Sequence, residues 1–347
     1  MIPRYAAAVS RSHAERSEAA GHRPFASLRV TLAVLLLPAG LPLSAQTDAV
    51  RDTVVHFTGG AMTLEGILAL PAGKGPWPAA VIIAGSGPTD RDGNSPAGIA
   101  TDMYRMLARG LAERGIASLR YDKRGLPSSR GSMNMATTTM ADFASDATAA
   151  ARLLVARPDI GPVVLVGHSE GGMLAMLAAR DGAPVTGLVL VSTAGRDATS
   201  ILREQLARQF PPAMLARFDT AWSAYLRGDS TVSPMPGLES LFLPWNRLFL
   251  QSWQAVQPVD LLRGIPLPTL VLQGETDVQI TPADARALAS ARSGIQLVLL
   301  PGVNHVLKMA SGSTAAAQMS VYTDRTLPLA SGVVPAIAEF IRSLRRP

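Results

Sequence analysis

The chain has no cysteine among its 347 residues. That excludes disulfides, thiolate metal ligands and cysteine nucleophiles together, and leaves the redox compartment open. Lysine is scarce as well, occurring only at positions 74, 123 and 308, so the positive charge is almost all arginine. The formal charge of +6 is unevenly placed: five arginines and two glutamates in residues 1–46 carry half of it. What remains on the body is too thin and scattered for a phosphate-tracking surface, so no nucleic-acid partner is expected. Long apolar runs are missing too. The run from Val30 to Leu37 stops at Pro38, well short of the roughly 20 apolar residues that cross a bilayer.

What is present begins with that segment. Arg23 and Arg29 precede the apolar run, and the small residues Ser44 and Ala45 follow it. This is the pattern of an exported protein's signal peptide, with cleavage expected after Ala45 and a periplasmic or secreted destination. An uncleaved N-terminal membrane anchor is the alternative. Residues 1–46 therefore stand apart from residues 47–347, where a composition that is 48% hydrophobic is ample for a core.

From Thr53 onward, short β-rich runs alternate with helical stretches, which predicts an α/β fold whose mostly parallel central sheet is covered by helices on both faces. About eight strands are expected: an opening pair over 53–57 and 64–71, then 79–85, 116–122, 163–167, 187–192, 268–274 and 295–302. Their near-continuous apolar character suits strands buried on both sides. Helical spacing falls over 99–114, 141–157, 170–181, 281–291 and 333–345, with Thr281-Pro282 a favourable helix start. Residues 197–257 break the alternation. They have no convincing strand, yet they hold three of the chain's four tryptophans, Trp222, Trp245 and Trp253. The expectation is a helical cap inserted over the sheet. Its aromatics pack the insertion's own core or line an apolar substrate pocket, and the three tryptophans are the candidates for the second role.

The chemistry centres on "VVLVGHSEGGMLAMLAAR" (163–180). Gly-x-Ser-x-Gly between a strand and a helix is a nucleophile elbow: Ser169 sits on a tight turn, and the flanking glycines remove side chains that would clash. The helix beginning at Glu170 aims its N-terminus at the reaction centre, which favours developing negative charge. A serine hydroxyl needs a base to take its proton and a carboxylate to orient that base. Of the five histidines, His13 and His22 lie in the leader and His56 in the opening strand. His168 adjoins the nucleophile on a turn that points neighbours apart, which suits a packing or supporting role. His305, just beyond the last expected strand, remains as the base. Between serine and histidine, "GETD" supplies Asp277 as the acid, with Glu275 and Asp197 as competitors. Acyl transfer also needs donors for an oxyanion. The N–H of Glu170 is one, and Gly85-Ser86-Gly87 after the third expected strand offers the N–H of Ser86, with Gly87 next.

The segments "GSGPTDRDGN", "RYDKRG", "GHSEGG", "GETD" and "GVNH" together resemble bacterial carboxylesterases of the α/β-hydrolase family across about residues 53–347. The resemblance implies cofactor-free hydrolysis of small-molecule esters with short to medium acyl chains. It assigns Ser169 as nucleophile, Asp277 as acid, His305 as base, and Ser86 and Glu170 as oxyanion donors. One departure is Ala84-Gly85, where many relatives have His-Gly.

Two further stretches carry charged residues at suggestive spacing. "TDRDGN" (89–94) has part of a calcium-loop spacing, but its glycine is misplaced and no closing glutamate follows, so a tight turn and no metal site is the reading. In "YDKRG", Asp122 and Arg124 read as a charged turn, the alternative being a buried pair reaching Glu170. A peptidase or thioesterase of the same fold would carry the same catalytic residues, whereas a non-catalytic binding protein of this fold would usually lack one of the three.

Overall fold

The computed structural model describes residues 50–344 except positions 132, 230, 234 and 313. The leader read over residues 1–46 lies outside them. Eight strands form one sheet: β1 (Arg51–Gly59), β2 (Met62–Leu70), β3 (Trp77–Ile83), β6 (Ala117–Tyr121), β7 (Ile160–His168), β8 (Gly187–Val191), β9 (Thr269–Gly274) and β10 (Ile295–Leu300). A separate two-stranded ribbon, β4 (Asn94–Ser95) with β5 (Ile99–Ala100), completes the numbering. The sheet order is β1-β2-β6-β3-β7-β8-β9-β10. Only β2 runs against its neighbours, β1 and β6; every other pairing is parallel. Parallel neighbours need crossovers, and helices supply them.

The apolar strands are explained by what covers each face. Val81, Ile83 and Leu165 join one core with α2 (Met140–Val155) and α3 (Glu170–Arg180). The alternate residues Ile82, Val164 and Val166 join the opposite core with α1 (Met103–Ala112) and α10 (Val333–Ser343). With a period of two, a strand wanted by both layers must be apolar at every position. Each fully buried Leu, Ile or Val contributes roughly 1.5–3 kcal/mol relative to exposure. At the outer edge β1 is mostly exposed and opens with Arg51 and Asp52, charges that discourage another chain from pairing there.

Helix starts follow local chemistry. Thr139 and Asp142 form a reciprocal capping box on α2, and Thr281 with Asp284 does the same for α8 (Pro282–Ala289), where Pro282 takes the first turn. The expected helix over 99–114 begins only at Met103. Ile99 and Ala100 pair instead with Ser95 and Asn94, and the Asn94 side chain accepts the N–H groups of Thr101 and Asp102. Asp102 adopts φ +51°, which cannot continue a right-handed helix. The segment between β8 and β9 holds α4 (Ala198–Ala207), α5 (Pro212–Leu226), α6 (Arg247–Gln254) and α7 (Pro258–Arg263), and no strand among its described residues. α9 (Ala315–Tyr322) follows β10, in a stretch where the sequence reading placed no helix.

Candidate active site

Ser169 stands between β7 and α3 with φ +56° and ψ −121°, a conformation that is sparsely populated for any residue with a Cβ and persists only where the surroundings over-determine it. They do so here. A Cβ on Gly167 would stand 2.2 Å from the Gly171 carbonyl, one on Gly171 2.3 Å from the Ile83 carbonyl, and one on Gly172 2.0 Å from Thr193 Oγ1. The N–H of Ser169 donates to the Val191 carbonyl at 2.8 Å, which locks the turn onto β8. The serine between glycines is thus a packing requirement of the turn as much as a chemical one.

Two neighbouring loops bring the other groups. Asp277 follows β9 and His305 follows β10, and the loops touch closely: a Cβ on Gly274 would meet the Val303 carbonyl at 2.2 Å. His305 Nδ1 donates to Asp277 Oδ2 at 2.8 Å. The same carboxylate accepts the N–H groups of Gln279 at 2.8 Å and Ile280 at 3.0 Å, and the Gln273 amide at 3.0 Å. Burial acts to raise the Asp277 pKa, but attraction to His305 and these hydrogen bonds outweigh it and hold the carboxyl below its ordinary value. An acceptor so surrounded by donors requires the proton on Nδ1, so Nε2 is the unprotonated ring nitrogen. Ser169 and His305 line one small cleft of about 70 Å³. Among the described residues no hydrogen bond joins them.

A second chain of hydrogen bonds fixes the surroundings. Gly85 N–H donates to the Tyr104 hydroxyl at 2.9 Å, and that hydroxyl lies 2.9 Å from His168 Nδ1. His168 Nε2 is 2.8 Å from the His305 carbonyl. A carbonyl only accepts, so Nε2 carries the proton and Nδ1 accepts from tyrosine. Burial, reinforced by the neighbouring His305, pushes the His168 pKa down to about 3, so the ring is a neutral link near neutral pH. It ties the loop after β3 to the backbone of His305. Sequence reasoning left His168 with only a generic supporting role and did not find Tyr104, which lies 64 positions away.

Lys123 is the other group that sequence reasoning missed. Asp122 pairs with Arg91 at 2.9 Å, and Arg124 pairs with Asp146 at 2.6 Å. The lysine between them turns inward, donates to the Gly85 carbonyl, and lies 3.6 Å from the Glu170 carboxylate. Its rarity in the chain, directly after a buried strand, was the available signal. Glu275 is exposed, and Asp197 caps α4 through the Ser200 N–H at 3.1 Å; neither contacts His305. Among the described residues the N–H groups of Ser86 and Glu170 donate to no acceptor, and no cluster of His, Asp and Glu is arranged to hold a metal ion.

On the far side of Ser86 lies a chamber of about 470 Å³, lined by Lys123, Phe143, Glu170, Leu250 and Trp253 among others. The tryptophans part company here. Trp253 lines the chamber and directs its N–H to the Met173 sulfur at 3.3 Å. Trp222 is buried within the insertion's own core against Phe218 and Phe242, its N–H on Thr199 Oγ1 at 2.8 Å. Trp245 is 49% exposed and does not line the chamber.

With the Ser169 turn and the Asp277 and His305 loops all at the carboxyl edge of a mostly parallel sheet, the architecture is that of a hydrolase of the α/β class. The chain belongs to the alpha/beta hydrolase family, whose model matches residues 81–315. It is 24% identical over 261 residues to esterase EstD of Thermotoga maritima, covering 72% of this chain and 60% of that relative's length. Among solved structures, Est1E from Butyrivibrio proteoclasticus with bound ferulic acid superimposes with a TM-score of 0.54 at 18% identity, over 84% of this chain and 98% of that one. A thermophilic esterase from Thermogutta terrifontis gives 0.52 at 20% identity, over 84% and 99%. These two structural likenesses speak to the fold.

Proposed function

We propose that this protein is an exported serine hydrolase that cleaves carboxylic esters of short to medium acyl chain, using Ser169 as nucleophile, His305 as base and Asp277 as the orienting acid. The observation that carries the reading is the Asp277–His305 pair, which leaves Nε2 as the only unprotonated nitrogen of a ring lining the same cleft as Ser169. In this scheme Ser169 Oγ attacks the ester carbonyl while His305 Nε2 takes its proton. The tetrahedral oxyanion receives the unengaged N–H groups of Ser86 and Glu170. Collapse breaks the C–O bond, and the departing alkoxide leaves as the alcohol with the proton held on Nε2. Water, deprotonated by the same nitrogen, then releases the acid and restores the serine. No cofactor enters the scheme. The kinship with a protein named an esterase supports ester as the bond cleaved. Export rests on the basic, apolar and small-residue pattern of residues 1–46.

The test is turnover of p-nitrophenyl acetate and butyrate by the purified chain. Ser169→Ala and His305→Ala are expected to lower kcat by about a thousandfold or more, and Asp277→Asn by a comparable factor, with circular dichroism unchanged. Faster cleavage of aminoacyl naphthylamides or thioesters than of esters would reassign the substrate class, and no turnover of any of them would favour a binding protein. N-terminal sequencing of exported material should begin near Gln46.

A further inference from the structure

The Glu170 side chain is an anomaly that ester hydrolysis does not use. It is 4% exposed and lines the apolar chamber, yet among the described residues its carboxylate makes no hydrogen bond; its closest cation, Lys123, stands 3.6 Å away. Lys123 is equally buried and has three N–H donors. One is spent on the Gly85 carbonyl. The rest of the wall is largely apolar, including Phe143, Leu250 and Trp253; of its other polar side chains, Arg124 and Asn246 are engaged by Asp146 and the Ser240 carbonyl. A buried carboxylate held by a single long ion pair keeps lone pairs free to accept, and its placement in the chamber wall makes sense if a bound molecule supplies a further donor.

The reaction geometry says which part of the substrate that is. In the proposed mechanism the departing alcohol must receive its proton from His305, so it lies on the side of the small cleft that His305 lines. The chamber adjoins Ser86 and Glu170 on the oxyanion side and does not touch His305. It is therefore the acyl side. An acyl group bearing a carboxylate would meet Glu170, and one bearing an ammonium would meet Lys123. A hydroxyl is both donor and acceptor: its O–H satisfies the carboxylate while its oxygen takes an N–H of the lysine. We propose that the chamber selects acyl groups that are apolar along their length and carry a hydroxyl, read jointly by Glu170 and Lys123. This rests on the ester hydrolysis proposed above.

The experiment compares kcat/KM for matched pairs of p-nitrophenyl esters, each a hydroxylated acyl chain against the same chain without the hydroxyl. A series of ω-hydroxyalkanoates of increasing length and a para-hydroxyphenylpropanoate serve as the hydroxylated members. The wild type is expected to prefer the hydroxylated member of the best-fitting pair by roughly 10- to 100-fold, the range for a hydrogen bond to a charged group. Glu170→Gln and Lys123→Met are each expected to bring that ratio to within a few-fold of unity. Because each variant is judged on its own ratio, a general loss of rate cancels. Equal efficiency on every pair, or a preference for ω-amino or ω-carboxyl chains, would overturn the inference while leaving ester hydrolysis standing. Failure to cleave either member of any pair would instead remove the underlying reading. If neither variant folds, the wild-type ratio alone still decides.

Discussion

The two hollows that meet at Ser86 differ in nearly every physical respect. The cleft of about 70 Å³ holds Ser169, His168 and His305, and its two histidines are bonded in fixed relays. The chamber of about 470 Å³ is walled by hydrophobic side chains from α2, α6 and the loop after β6, with one loosely matched charge pair. Fully bonded groups in a low-dielectric site hold their geometry, which suits proton transfer. An apolar space with a few polar groups left unmatched suits discrimination between substrates. Under the proposed mechanism, rate and selectivity would come from different parts of this chain: loops at strand ends the first, the inserted helices much of the second.

Three measurements test whether the two hollows are physically distinct. The largest effect belongs to the cleft. His168 resists protonation until about pH 3, whereas an unfolded histidine binds a proton below its ordinary value of 6.5. The unfolded state therefore takes up more protons across that window. The stabilisation is fully present above pH 6.5 and is lost as pH falls, by up to about 5 kcal/mol. Denaturant unfolding across this range should show a distinctly shallower pH slope for His168→Gln than for wild type. Equal slopes would mean that burial beside His305 does not hold the ring neutral.

A smaller effect is expected from filling the chamber. Leu241→Trp adds volume to its wall, and kcat/KM for the longer acyl esters should fall by about tenfold while acetate hydrolysis stays within a factor of about two. A uniform loss on both would show that the two hollows are not separable. The smallest effect is expected at Trp245, half exposed on the insertion and outside the chamber. Trp245→Ala should change stability by less than about 0.5 kcal/mol and leave the ester profile unchanged, as thermal melts and the same assay would report.

Much of the fold is legible in the sequence. The central strands are readable because burial on both faces demands unbroken apolar runs, whereas the edge strand β1 is mostly exposed, and α8 announces itself through Thr281-Pro282. The helix start near residue 99 was misplaced because nothing local reveals that the Asn94 side chain will capture the N–H groups of Thr101 and Asp102. Ser169 was legible for a comparable reason to the strands: its turn needs glycine at 167, 171 and 172, where any Cβ would collide.

The fold class, the tight turn at Ser169 and a short list of candidate histidines and carboxylates are written along the chain, since these depend on periodicity, local sterics and chain order. Only the tertiary structure decided that Asp277, not Glu275 or Asp197, bonds His305, that Trp253 alone of the three candidate tryptophans lines the chamber, and that Lys123, not Arg124, turns toward Glu170. Each of those choices is between neighbours of similar chemistry. It is settled by which way a side chain leaves a loop and what distant residue it meets there, and no local pattern along the chain encodes that.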